Sequence, residues 1–298
     1  MTVQFPGAPP MNAQWIVFTD LDGTLLNRDS YSFAAAAPAL QQLASLQIPL
    51  ILNSSKTAAE MMLLRQQLDN GDPFVVENGA AVLVPEGYFP AQPDLESLGE
   101  GSGYLLKRFS DPHEHILEVL ADARHCGFTF AGFSDWSAAE LAQKTGLTEQ
   151  AATLAKQRTG SEPILLEGDL ASFQQFLAAF HLRAVQGGRF LHVMGQYDKA
   201  DGVRWLCRAF AQRYAPNPLY TIALGDSHND EGMLNAVDCA LVIRSPHSAD
   251  IRLTKPKAAR YSEAEGPQGW NELLLPMLQQ TYPDDEARGA SGAANPDP

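Results

Sequence analysis

The segment Trp15-Ile-Val-Phe-Thr-Asp20-Leu-Asp22-Gly-Thr24 carries a short apolar run that stops at two aspartates. Four or five apolar residues closed by a glycine are typical of a buried strand that ends at a turn. In a parallel α/β sheet, ligands bind at the carboxyl ends of the strands. Asp20 and Asp22 would lie on the same side of a continuing strand, and two close carboxylates suit a hard cation such as Mg²⁺. The alternative is an ordinary turn, since Asp and Gly are common turn residues.

Short apolar strands alternate with amphipathic helices on both sides of a compositional break. The alternation runs through residues 34–76 and resumes at residue 199, which predicts an α/β fold with a Rossmann-like, doubly wound parallel sheet. Residues 85–104 are rich in Pro, Gly and acidic side chains, which indicates an exit from the first domain. The predicted organisation is a flexible tail at 1–13, a core at 14–90 and 190–282, an inserted smaller α/β cap at 91–189, and a disordered tail at 283–298.

The composition is that of an acidic globular protein. Of the 298 residues 45% are hydrophobic and 19% are charged, and the net charge is −14. Such acidity argues against binding to nucleic acid, which needs a basic face. No apolar run approaches the roughly 20 residues needed to span a bilayer, and no secretory signal is visible. We therefore expect a cytoplasmic protein that binds neither nucleic acid nor membrane, and whether it is a monomer or a homodimer stays open.

Two further polar positions follow predicted strands or begin helices. Ser54 follows the second strand, where its hydroxyl and the backbone N–H groups of the next turn could bind a phosphoryl oxygen. Ser55 or Thr57 could equally be the N-cap of the helix that follows. Lys199 opens a helix, where a lysine opposes the macrodipole, so that helix stability does not explain its position. The alternative for Lys199 is a surface lysine.

A second acidic cluster lies in Leu224-Gly225-Asp226-Ser-His-Asn229-Asp230. Asp226 and Asp230 again follow an apolar strand and a glycine. Acidic residues stabilise a helix N-terminus, which is the structural alternative. A second cluster that matches the first in kind would complete an oxygen-rich Mg²⁺ site.

In this order the four segments resemble the four motifs of the haloacid dehalogenase superfamily of phosphohydrolases. The resemblance implies that Asp20 is a nucleophile that forms an aspartyl-phosphate. It implies that Asp22 protonates the leaving oxygen and then activates water. Ser54 would bind the phosphoryl group, and Lys199 would offset the charge on the nucleophile and on that group.

The same resemblance implies Mg²⁺ as the cofactor. Asp226 would be a direct ligand, Asp230 would be a second ligand or would orient a metal-bound water, and Asn229 would contact phosphate or substrate. The metal residues so implied are Asp20, Asp22, Asp226 and Asp230.

The insertion between the second and third motifs resembles a cap, and a cap selects the substrate by closing over the site. Asn53-Ser-Ser-Lys-Thr57, Val76-Glu-Asn-Gly79 and Gly187-Gly-Arg189-Phe-Leu-His192 resemble the mannosyl-3-phosphoglycerate phosphatases. The resemblance implies a small phosphorylated glycoside as the substrate, a hexose joined to 3-phosphoglycerate, whose hydrolysis yields a glycosylglycerate, a compatible solute.

A substrate with a phosphate and a carboxylate needs cationic groups besides Lys199. Arg189 could hold the carboxylate in bidentate fashion, or it could be a solvated strand residue. His192 could contact the substrate, or it could be a histidine of the core. The candidate substrate contacts are Ser55, Lys56, Asn78, Ser134, Asp135, Arg189, His192 and Asn229.

Two other functions stay open at this point. One is a sugar-phosphate phosphatase of broader range, or a phosphomannomutase-like enzyme that transfers the phosphoryl group. The other is a ligand-binding relative without turnover, against which the intact set of Asp20, Asp22, Lys199 and Asp226 argues.

Overall fold

A computed structural model describes residues 9–90, 94–99, 101–187, 189–254 and 259–283. The strands are β1 Gln14–Thr19, β2 Leu50–Leu52, β3 Phe74–Val76, β4 Ala81–Pro85, β5 Glu96–Ser97, β6 Tyr104–Arg108, β7 Thr129–Gly132, β8 Ser161–Glu167, β9 Arg183–Gln186, β10 Leu191–Met194, β11 Leu219–Gly225, β12 Cys239–Arg244 and β13 Ala259–Glu265. The helices are α1 Ala37–Ser45, α2 Ala58–Gln67, α3 His113–His125, α4 Ala138–Thr145, α5 Glu149–Ala155, α6 Leu170–Ala178, α7 Lys199–Tyr214, α8 Glu231–Asn235 and α9 Gly266–Thr281. Residues 1–8 and 284–298, which hold most of the two predicted tails, lie outside this description.

The core is a parallel five-stranded sheet in the order β13-β12-β11-β1-β2. In register, Thr19 at the end of β1 lies opposite Leu224 of β11 on one side and Leu52 of β2 on the other. The side chains of β1 are almost all buried, as expected for a parallel strand covered on both faces. One face packs on α1 and α9, and the other packs on α7 and α8. The predicted doubly wound α/β fold is confirmed.

A second, antiparallel sheet in the order β3-β4-β6-β5 continues this core. An isolated bridge between Asn53 and Val75 joins it to the end of β2. Leu83 of β4 and Leu106 of β6 are buried in the same apolar cluster as the helices α1 and α9. Residues 96–97 and 104–108 therefore belong to the core unit, although the sequence placed the start of the cap at residue 91.

The cap is a four-stranded antiparallel sheet in the order β7-β8-β10-β9. One face of this sheet packs on α3 and α6, and a smaller cluster around Trp136 includes the short helices α4 and α5. Because β10 pairs with both β8 and β9, residues 191–194 lie inside the cap sheet. The cap thus runs from α3 to β10, whereas the sequence analysis predicted that the core resumes at residue 190. Among the described residues, no helix has the length and apolar character to cross a membrane.

A buried carboxylate fixes the cap on the core. Glu77 directly follows β3, has a φ of +49° and is 1% exposed. Its oxygens accept hydrogen bonds from Thr159 N at 2.8 Å and from Ser161 Oγ at 2.7 Å, both on the cap. Arg158 of the cap donates to the carbonyl of Ser55 at 2.7 Å. These contacts join the start of β8 and the residues before it to the segments that follow β2 and β3.

A substitution at Arg65 of α2 tests whether residues 104–108 belong to the core. Its buried guanidinium donates to Tyr104 Oη and to the carbonyl of Asp72, both at 2.6 Å. Replacing Arg65 by Met leaves these two oxygens without a partner, so Arg65→Met should lower the free energy of unfolding by about 2–3 kcal/mol. Urea denaturation measures this loss.

The matched control is Arg204→Met, on the exposed side of α7. Because an exposed ion pair contributes little, that change should cost less than about 1 kcal/mol. Equal losses in the two variants would contradict the structural role given to Arg65.

Candidate active site

The carboxyl ends of β1 and β11 bring two aspartates together. Asp20 follows β1 and donates its backbone N–H to the carbonyl of Leu224 at 2.9 Å. Asp226 follows β11, the neighbouring parallel strand. Both side chains are buried, with relative exposures of 6% and 1%. The two acidic segments of the sequence therefore meet at one edge of the sheet.

Lys199 is the buried cation of this site. It begins α7, it is fully buried, and its Nζ lies 2.6 Å from Asp20 Oδ1 and 2.7 Å from Asp230 Oδ1. Asn53 Nδ2 holds the carbonyl of Lys199 at 3.0 Å. Burial disfavours the charged amine, but the carboxylates of Asp20 and Asp230 outweigh it and raise the pKa of Lys199. Lys199 is therefore an ammonium, and the two carboxylates explain its unfavourable position at a helix N-terminus.

Asp20, Asp226 and Asp230 form an acidic group that can hold a divalent cation. One carboxylate oxygen from each lies within 4.8 Å of the other two. Burial, and then the charge of Asp230, raise the pKa of Asp20 to about 8 and that of Asp226 to about 6. The single buried lysine does not balance three carboxylates, and a hard cation with oxygen ligands would offset the excess charge.

The roles within this group differ. Asp230 Oδ2 accepts the N–H groups of Asp226 at 3.0 Å and Ser227 at 3.1 Å, and its Oδ1 binds Lys199. Both oxygens of Asp230 are thus held by buried groups. Asp226 Oδ1 accepts the hydroxyl of Thr24 at 3.3 Å, and its Oδ2 pairs with Arg28, whose side chain is about half exposed. Lys199 holds only one oxygen of Asp20. Asp20 and Asp226 are therefore the better candidates for direct ligands, and Asp230 would orient the group.

Arg28 also reaches this group, and the sequence gave no reason to single it out. Its Nη2 lies 2.7 Å from Asp226 Oδ2, while about half of its side chain is exposed. Gly23 has a φ of +87°, and a Cβ there would lie 2.8 Å from Arg28 Nη2 and 3.0 Å from Asp226 Oδ2. The turn after β1 therefore requires glycine for its backbone angle, and a larger residue would also displace Arg28.

Asp22 lies apart from the three-carboxylate group. Its Oδ2 forms an ion pair with Lys56 Nζ at 2.8 Å, and its Oδ1 is buried without a hydrogen-bond partner. Burial would lower the pKa of Lys56, but Asp22 and Glu60 outweigh it and raise that pKa. The structure does not bring the side chain of Asp22 into the metal group for which the sequence proposed it. It leaves one oxygen of Asp22 available for proton transfer.

Polar groups from three other segments lie near this edge of the sheet, and two of them, Asn78 and Asn229, line the same pocket as Lys199. Ser54 is buried after β2, and its Oγ accepts the N–H of Lys56 at 3.3 Å. Asn78, with a φ of +58°, donates its N–H to the carbonyl of Ser54 at 2.9 Å. Its Oδ1 accepts a hydrogen bond from Asn229 Nδ2 at 3.2 Å. Thus hydrogen bonds link Ser54, Asn78 and Asn229, all predicted site residues, at the carboxyl edge of the sheet.

The N-cap alternative for the second segment is resolved in favour of Thr57. Its side chain and that of Glu60 form a capping box at the start of α2. Ser55 does not cap the helix, and its carbonyl accepts the hydrogen bond from Arg158 of the cap. Ser54 takes no part in this capping box, and its side chain lies at the carboxyl end of β2.

A pocket of about 280 Å³ lies between the core edge and the cap sheet. It is lined by Asn78, Arg183, Val185, Met194, Asp198, Lys199, His228, Asn229, Glu231, Gly232 and Asn235. Three of the predicted site residues, Asn78, Lys199 and Asn229, are among them. Arg183 was not singled out from the sequence, because no local motif marks it.

Two predicted cap contacts have structural partners instead. Ser134 donates its N–H to Glu162 Oε1 at 2.7 Å. Asp135 Oδ2 accepts the N–H of Gly132 at 2.8 Å and a guanidinium N–H of Arg124 at 2.5 Å. Both residues close the turn after β7, and neither lines the pocket.

Arg189 and His192 also lie outside the pocket lining. Arg189 is exposed and donates to the carbonyls of Lys144 at 3.1 Å and Thr145 at 2.5 Å, at the end of α4. His192 is buried in β10 with Nδ1 unpartnered. Burial, and then the charges of Arg158 and Lys199, lower its pKa to about 3, so that its imidazole stays neutral.

Known proteins resemble this chain in sequence and in fold. Residues 17–94 match the model of the haloacid dehalogenase-like hydrolase family. A protein of Methanococcoides burtonii named glucosyl-3-phosphoglycerate/mannosyl-3-phosphoglycerate phosphatase is 38% identical over 88% of this chain and 97% of its own length. A protein of the same name from Persephonella marina is 34% identical over 89% and 97%. A crystal structure from Thermoplasma acidophilum superposes with a TM-score of 0.63 at 15% identity, over 89% of this chain and 99% of its own.

Cation binding by the acidic group can be measured without turnover. Mn²⁺ is a paramagnetic ion that carboxylates also bind, and its free concentration is measured by electron paramagnetic resonance. Asp226→Asn should weaken Mn²⁺ binding by at least about tenfold, because it removes one charged ligand oxygen. Asp122→Asn, which removes an exposed carboxylate from α3, is the control and should leave the affinity unchanged. Unchanged binding by Asp226→Asn would contradict the assignment of the metal site.

Proposed function

We infer that this protein, which belongs to the family of the glucosyl-3-phosphoglycerate/mannosyl-3-phosphoglycerate phosphatases among the haloacid dehalogenase-like hydrolases, hydrolyses the phosphate ester of a glycosyl-3-phosphoglycerate. The observation that carries the proposal is the buried group of Lys199, Asp20 and Asp230 at the sheet edge, next to the pocket beneath the cap. This arrangement provides a carboxyl nucleophile, a fixed cation beside it that favours its ionised form, and room for an organic phosphate.

Asp20 is the proposed nucleophile. Lys199 holds its Oδ1, so that Oδ2 is the oxygen that attacks phosphorus and forms the aspartyl-phosphate. The ammonium offsets the negative charge that accumulates as two anions approach each other. The hydroxyl of Ser54 and the N–H groups of the following turn would hold the phosphoryl oxygens during attack.

Asp22 is the proposed acid and base. It would give its proton to the glycerate oxygen as the phosphorus–oxygen bond breaks. As a carboxylate it would then take a proton from the water that hydrolyses the aspartyl-phosphate. The ion pair with Lys56 holds the Asp22 side chain through its Oδ2, which leaves Oδ1 for the proton.

Mg²⁺ is the proposed cofactor. Asp20 and Asp226 would hold it, with Asp230 orienting the group, and it would supply positive charge that offsets the carboxylates and polarises the phosphoryl group. A cytoplasmic location and a monomeric or homodimeric state stay predictions.

Phosphate release from a panel of substrates tests the proposed function. The panel comprises mannosyl- and glucosyl-3-phosphoglycerate, mannose 6-phosphate, glucose 1-phosphate and 3-phosphoglycerate, each with Mg²⁺. The value of kcat/KM should be about 100-fold higher for the two glycosylated acids, which is nearly 3 kcal/mol of transition-state discrimination. Asp20→Asn should abolish release from all five, while Asp122→Asn should retain it.

A flat profile across the panel would overturn the proposed substrate class. It would instead favour a sugar-phosphate phosphatase of broad range. Turnover by Asp20→Asn at a rate near that of the unmodified enzyme would overturn the role of the nucleophile.

A further inference from the structure

Arg183 presents a positive charge to the pocket from the cap side. It begins β9 and lies opposite Met194 of β10, and both side chains line the pocket. Its Nε donates to the carbonyl of Gly195 at 3.3 Å, and its Nη2 donates to the carbonyl of Tyr197. These carbonyls belong to the segment that connects β10 to α7, and Tyr197 lies two residues before Lys199. The guanidinium is therefore held by the same segment that positions the catalytic ammonium.

The hydrogen-bond partners of Arg183 carry no net charge. Within the part of the chain that the structure describes, Arg183 forms no ion pair with a carboxylate. Its two recorded partners are backbone carbonyls, which carry no net charge. A half-buried guanidinium of this kind favours an anion as an additional partner.

The two carboxylates that line the same pocket are engaged elsewhere. Asp198 caps α7 and accepts the N–H of Ala200 at 2.8 Å. Glu231 binds His228 Nδ1 at 3.1 Å and the N–H of Arg252 at 3.2 Å. Besides these two carboxylates, the pocket has a cation, Arg183, at its cap side and a cation, Lys199, at its core side.

We propose that Arg183 binds the carboxylate of the glycerate unit and makes the enzyme selective for esters of 3-phosphoglycerate. This inference rests on the proposed function. In the substrate, the phosphate and the carboxylate are carried by the two end carbons of a three-carbon unit. With the phosphate beside Asp20 and Lys199, the carboxylate extends into the pocket toward the cap. A guanidinium can bind it through two N–H groups in a planar arrangement.

Arg189, the arginine to which the sequence pointed for this role, is the natural control. It lies on the same cap, six residues further along the chain. Its guanidinium closes the end of α4 through the carbonyls of Lys144 and Thr145, and it does not line the pocket. Removing its charge tests for any general effect of one fewer cation on the cap.

The experiment compares two substrates that differ at one group. One is glucosyl-3-phosphoglycerate, and the other is the matching glucosylglycerol 3-phosphate, in which a hydroxymethyl group replaces the carboxylate. The variants are Arg183→Met and Arg183→Lys, with Arg189→Met as the control and circular dichroism as the check on folding. Arg183→Met should raise KM for the carboxylate substrate by about 10- to 100-fold. It should change KM for the glycerol analogue by less than about threefold, because no charged hydrogen bond to that substrate is lost.

The other variants and the comparison of the two substrates decide between a role in binding and a purely structural role of Arg183. Arg183→Lys should lose less than Arg183→Met, because it keeps the charge without the planar geometry. Equal losses on the two substrates in Arg183→Met would mean that Arg183 only braces the segment before Lys199, and would overturn the proposal. An equal effect in Arg189→Met would also overturn it.

The unmodified enzyme separates this inference from the proposed function. If it does not hydrolyse glucosyl-3-phosphoglycerate above the level of simple sugar phosphates, the proposed function fails and the inference fails with it. If it does so and Arg183→Met retains the preference for the carboxylate, the proposed function stands and the role of Arg183 is overturned.

Discussion

The buried ion pairs of Lys199 are the interactions on which the rest of the structure depends. A buried ammonium without partners would be strongly destabilising, and so would two buried carboxylates without a cation. Asp20 comes from the end of β1, Asp230 follows β11, and Lys199 begins the helix that returns from the cap. The ammonium is paired with both carboxylates only when these three elements meet. The folded core and the arrangement needed for phosphoryl transfer are therefore the same arrangement.

The position of Lys199 also connects the cap to the site. The chain leaves the core after β6, builds the cap, and returns at the lysine itself. Glu77 fixes the near side of the cap through the N–H and hydroxyl groups of residues 159–161. Arg183 fixes the far side through the carbonyls before α7. In our proposal, a substrate bound by both Lys199 and Arg183 would lie between the core and the cap.

The sequence predicted the fold and the edge of the sheet well, because those features are local. Apolar runs that stop at Asp20, Ser54 and Asp226 mark buried strands with polar ends, and parallel strands place their carboxyl ends at one edge. The inserted cap and the family were likewise predicted, and the fold and the family relationship are confirmed. The ends of β1, β2 and β11 could be predicted from the residues of each strand alone, without knowledge of distant contacts.

The features that were missed depend on distant contacts. Strand β13, Ala-Arg-Tyr-Ser-Glu-Ala-Glu, lies at the edge of the sheet and has no apolar run to reveal it. Residues 104–108 belong to the core because they pair with β4, which the glycine-rich and proline-rich segment between them concealed. Arg189 lies in a segment that resembles a known family, whereas no local motif marks Arg183. Only the carbonyls that each arginine meets in the folded chain show which of them lies beside the segment before α7.

The most direct test of the central claim is to trap the phosphoryl group on the enzyme. Asp22→Asn should still be phosphorylated by an aryl phosphate, whose leaving group needs no acid, but should hydrolyse the intermediate about 10²- to 10⁴-fold more slowly. After an acid quench, mass spectrometry of the peptides should find one phosphoryl group, labile to hydroxylamine, on Asp20. A phosphoryl group on another residue, or none at all while aryl phosphate is still consumed, would contradict the account.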